Sequence, residues 1–100
     1  MSSVVFRIRK RYFDAIVKGE KTVEYRKLSM FWLRRLARKP KIAVFICGKR
    51  VHRRKITRID MGIPTPTNFS EQGKKDVPTL LCNAIYLGEE VAITGKIQRK

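Results

Sequence analysis

Acid is what this sequence has least of. Eight Asp and Glu stand against 24 Lys and Arg, giving a formal charge of +16 on 100 residues. So one-sided a surface repels itself, and such imbalance is usual in proteins that meet a polyanion. RNA is the expected partner, with DNA as the second candidate. An anionic membrane surface is not expected, because no long amphipathic basic helix is present. Histidine is nearly absent too, at one residue. Cys47 and Cys82 form no Cys-x-x-Cys pair, so a four-ligand zinc site would need a carboxylate or a second chain. They read as small core residues in a reducing compartment, and no metal or cofactor is expected. The longest apolar runs, such as "IAVFIC", are strand-sized, far short of the roughly 20 residues of a membrane span. The opening "MSSVVFRIRKRYF" breaks into charge too early for a secretory signal, which implies a soluble, cytoplasmic protein. Nucleotide-binding glycine loops and a nucleophile elbow are also missing.

What is present is enough apolar residue, 43%, for one modest core and hence one domain over residues 1–100, ending in a basic tail at 98–100. "SVVFRI" is β-branched and aromatic, a first strand. From Arg11 the period changes, and Tyr12, Phe13, Ile16 and Val17 make the stripe of a short helix. Gly19 suits its C-terminus. "KTVEYRK" is a second strand, with Val23 and Tyr25 on one face and Thr22, Glu24 and Arg26 on the other. Ser29 can cap a second helix running to about Arg38, with Leu28, Trp32, Leu33 and Leu36 inward and Pro40 ending it. "KIAVFIC" is a buried strand and "VHRRKITRID" a basic one, its Ile56 and Ile59 out of step in a way that suggests a bulge. Met61 to Thr79, rich in proline, reads as a long loop. "TLLCNAIYLG" fits a helix better than a strand, and "EEVAITGKI" closes the fold as a strand. The order β-α-β-α-β-β-loop-α-β suggests an α+β fold: a small mixed, mostly antiparallel barrel with two to three short helices packed outside.

Three groups of residues can carry chemistry. In the first, Glu24 can accept from Arg26 or Lys21 and orient their donors, Arg26 offering a planar fork for phosphate and Lys21 a mobile point charge. On a regular strand Lys21 points away from Glu24 and Arg26, so convergence requires Lys21 to lie in the turn. The competing reading is an exposed Glu24–Arg26 pair worth about 0–1 kcal/mol. The second group is the basic strand, with His52, Arg54 and Arg58 on one face and Arg53 and Lys55 on the other, suited to a phosphate backbone or simply to a solvated edge. His52 also qualifies as a general base near neutral pH. The third is the basic end of the second helix: Arg34, Arg35 and Arg38. Tyr25 and Phe69 are candidates for stacking on bases, whereas Phe31 and Trp32 are expected to fill the core.

The strand, the helix and then "YFDAIVKGEKTVEYR" resemble the opening of the ASCH domain family, within the PUA-like barrels. Members show a short helix, a Gly-x-Lys-x-x-Glu-x-Arg pattern and a strand; here Gly19, Lys21, Glu24 and Arg26 meet the pattern, and Thr22 is also commonly seen. The resemblance implies a PUA-like β-barrel whose helix-to-strand turn lines a groove for RNA or a nucleotide-like ligand. One branch, the acetylcytidine amidohydrolases, has threonine where this chain has Glu24, so that chemistry does not transfer intact. The reading is therefore an ASCH-like RNA-binding domain. The alternative is a hydrolase acting on RNA or a modified nucleoside, with Lys21 and Glu24 as the catalytic pair.

Overall fold

The computed structural model describes residues 2–66 and 81–91. The elements follow in the order β1 (Ser3–Arg7), α1 (Lys10–Val17), β2 (Val23–Lys27), α2 (Met30–Ala37), β3 (Ile42–Cys47), β4 (Arg50–Pro64) and β5 (Leu81–Glu90). The strands form one mixed sheet in the order β1-β3-β4-β5-β2, curled into a half-barrel. β1 and β3 run parallel, with Phe6 opposite Phe45, and every other pairing is antiparallel. The α+β class and the barrel-like curl match the sequence reading.

Alternation in β1 sends Val4 and Phe6 inward and leaves Ser3, Val5 and Arg7 exposed. Phe13 and Ile16 of α1, and Trp32 and Leu36 of α2, complete the core with Phe45 and Ile85. Phe6 stacks between Trp32 and Phe45, at ring centroid distances of 5.2 and 5.4 Å. α1 ends where Gly19 takes φ +81°, a conformation a side chain would oppose. Ser29 caps α2 by accepting from the Trp32 N–H. Beyond α2, Lys39 takes φ +53°, the one non-glycine residue with positive φ among those described.

Several expectations are corrected. Residues 81–90 are a strand, not a helix: β5 lies between β4 and β2, and Cys82 to Ile85 are buried consecutively. A strand covered on both faces loses the two-residue period. β4 continues through Pro64, so Met61 to Pro64, expected in a loop, belong to a strand, with a shift of register between Asp60 and Ile63 where Gly62 has φ +72°. Two helices occur among the described residues. Phe31 is 53% exposed, because the one-residue step from Trp32 turns it off the buried stripe; Leu28 is likewise exposed. The expected closing strand from Glu89 shares Glu89 and Glu90 with β5. Its remainder after Val91, Phe69, the rest of the loop and the basic tail lie outside the described residues.

Candidate nucleic-acid interface

The turn after α1 is built by backbone bonds. The N–H groups of Glu20 and Lys21 both donate to the Ala15 carbonyl, at 2.9 and 3.1 Å. Lys21 therefore precedes β2, which begins at Val23, and is free of the alternation that would have sent it to the opposite face. Its Nζ donates to the Val23 carbonyl at 2.6 Å and lies 3.3 Å from Glu24 Oε1. Arg26, two residues along the strand, donates through Nε to Glu24 Oε2 at 2.8 Å. The three side chains converge as the turn placement requires.

This is not an exposed pair. The Glu24 and Arg26 side chains are 6% and 13% exposed, because Glu24 stands opposite Ile85 and Arg26 opposite Asn83 on the inner face of the sheet. The Arg26 guanidinium carbon lies 5.1 Å from the ring centroids of both Phe6 and Trp32. Stacking of a cation on ring faces stabilises it where water is scarce. Arg26 Nη2 is buried and sits 2.6 Å from the same Glu24 Oε2, so the guanidinium meets the carboxylate through an ion pair at Nη2 and a hydrogen bond at Nε. Thr22 is exposed, and its carbonyl accepts from the Leu87 N–H. Tyr25 faces the other side of the sheet, with Lys21 Nζ 5.8 Å from its ring. Burial, aided by Tyr86 and then Cys82, pushes its hydroxyl pKa up.

The basic strand divides. His52 is buried, and its Nε2 accepts from Arg54 Nε at 3.1 Å, which leaves the proton on Nδ1. Burial pushes the His52 pKa down, with Glu90 opposing and Arg54 assisting. Arg54 is spent on the fold, donating to the carbonyls of Ile16, Val17 and Gly88. Arg58 does not share their face, contrary to the expectation from simple alternation: two register shifts, at Arg54/Ile56 and Ile56/Arg58, place it opposite Tyr86. There it is exposed and pairs with Asp60 at 2.8 Å. Lys55 pairs with Glu89, and Arg53 is half-buried, its carbonyl accepting from the Val91 N–H. At α2, Arg35 lies 3.6 Å above the Phe31 ring and donates to the Phe31 carbonyl, while Arg34 and Arg38 are exposed.

One polar residue was missed in the sequence. Asn83 is fully buried, accepting from the Gly62 N–H at 3.4 Å and donating to the Lys27 carbonyl at 3.3 Å. A lone amide inside the run "LLCNAIYLG" was its signal, since a buried amide must find partners. No group of three or more His, Cys, Asp or Glu among the described residues is placed to hold a metal ion, and no helix there is long and apolar enough to cross a membrane. No family model, curated protein or solved structure matches the chain.

Proposed function

We propose that this chain is an RNA-binding, ASCH-like domain of the PUA-like type, in which the Lys21–Glu24–Arg26 cluster contacts a nucleotide. The observation that carries the reading is the cluster itself. A carboxylate holds a lysine from the turn and an arginine from the strand, so that two cations are fixed side by side with Lys21 partly exposed. A phosphate oxygen is attracted by the Lys21 and Arg26 cations, and Lys21, 23% exposed, is the donor of the cluster that it can reach. The charge of +16 supplies the long-range attraction. Both Glu24 oxygens already serve cations, which suits orienting donors better than abstracting a proton.

The test is fluorescence anisotropy with labelled single-stranded and hairpin RNAs, comparing wild type with Lys21→Ala. Lys21 is partly exposed and its loss should leave the fold intact. Binding that falls steeply with salt, and weakens in Lys21→Ala, is the expected result. No binding at low salt rejects the proposal. Cleavage or base modification by wild type, lost in Lys21→Ala with affinity kept, would replace it with the hydrolase reading.

A further inference from the structure

Away from the Glu24 cluster, two hollows adjoin across Pro40, which lines both. The first, of about 470 Å³, lies between the start of β1 and the end of α2, with Arg34, Arg35 and Arg38 on its wall. The second, of about 230 Å³, runs from Lys39 and Lys41 onto β4 as far as Arg58 and Ile59. No acidic residue among the described residues lines either hollow. Arg35 is held by Phe31 and Arg58 by Asp60. Arg34, Arg38, Lys39 and Lys41 have no side-chain partner among the described residues. Cations at the end of α2 favour the helix dipole without any ligand. That account does not reach Lys41, which lies beyond the helix. Nor does it explain Lys39, which keeps a lysine in a backbone conformation suited to glycine.

We infer that the two hollows form one track for the phosphate backbone of a single-stranded nucleic acid, held by Arg34, Arg38, Lys39 and Lys41. This rests on the RNA-binding reading above and adds a second contact, separate from the nucleotide at Glu24. A single strand can bend to follow two small hollows that meet at Pro40; a stiff duplex lacks that freedom.

The experiment measures the affinity of a fluorescein-labelled oligouridylate, and of a duplex of equal length, across a series of salt concentrations. The proteins are wild type, Arg34→Gln/Arg38→Gln, Lys39→Gln/Lys41→Gln and a control, Lys18→Gln/Lys49→Gln, which removes two exposed charges elsewhere. Each track pair is expected to flatten the slope of log affinity against log salt by about 1.4, from about 0.7 per single-strand phosphate contact, and the control by less than half of that. Lys39→Gly separates binding from folding. It relieves the positive φ, so its Tm should equal or exceed that of wild type, while the slope falls by about 0.7. Track variants indistinguishable from the control overturn this inference, and if Lys21→Ala still weakens binding, the functional proposal survives without it. A duplex bound as tightly as the single strand overturns the assignment to single strands. No binding by wild type overturns both.

Discussion

At Glu24 one of the chain's few acids sits where water hardly reaches, 4% exposed, between Lys21 and Arg26. Removing one partner of such a pair leaves a buried charge without compensation, and the cost is several kcal/mol. Glu24→Gln is expected to lower unfolding free energy by about 3 kcal/mol in urea titrations, and Glu24→Leu with Arg26→Met by less. A cost for Glu24→Gln below about 1 kcal/mol would mean that the pair behaves as if solvated. His52 makes a second, pH-dependent claim. Its folded pKa is lowered from 6.5 by burial, against the pull of Glu90 and with help from Arg54. Above pH 6.5 both states hold it neutral; as pH falls below that, the unfolded chain takes up the proton first. Stability should therefore drop from pH 6.5 downward until the folded pKa is passed. His52→Gln should flatten that part of a Tm–pH curve, and an unchanged slope would remove His52 as its source.

Among the elements, α1 shows how little the local pattern alone secures. Eight residues are too few for a helix to persist in water without packing. Phe13 and Ile16 supply the packing, and Arg54 reaches from β4 to tie the Ile16 carbonyl at 2.8 Å to the Gly88 carbonyl of β5 at 3.3 Å. Arg54→Met keeps the stem and removes these bonds. Charged hydrogen bonds of this kind contribute about 1.5–3 kcal/mol, so amide exchange in α1 should quicken by about tenfold or more, while β3 is little changed. Equal acceleration in both would show global destabilisation instead. The same elements mark what was legible in the chain. β1, α1, β2 and β3 announced themselves because each has a clean period or a dense apolar run with a visible stop. β5 did not, since Leu81, Ile85 and Leu87 mimic helical spacing in a strand covered on both faces. The convergence of Lys21, Glu24 and Arg26 was foreseeable once Lys21 was placed in the turn. The burial of Arg26 against Phe6 and Trp32 was not, because it depends on α2 folding back over β1.

For the whole molecule, charge dominates. The exposed ion pairs, Lys10 and Arg50 with Asp14, Lys55 with Glu89, and Arg58 with Asp60, lower the carboxylate pKa at Asp14 and Glu89. The +16 already counts every acid, so these pairs leave all of it uncompensated. Screening should then help more by muting repulsion than it harms by weakening these pairs. Raising NaCl from low concentration to about 0.15 M is expected to raise Tm by several degrees, since about 1 kcal/mol corresponds to roughly 4–8 °C at this size. A falling Tm would mean that the pairs outweigh the repulsion. The strand order carries one more consequence, for the protein during its own synthesis. β2 has β5 as its strand neighbour, at the sheet edge opposite β1. Residues 23–27 are made before residues 81–90 and have no strand partner until these follow. The cluster around Glu24 therefore cannot close into the sheet until β5 is in place.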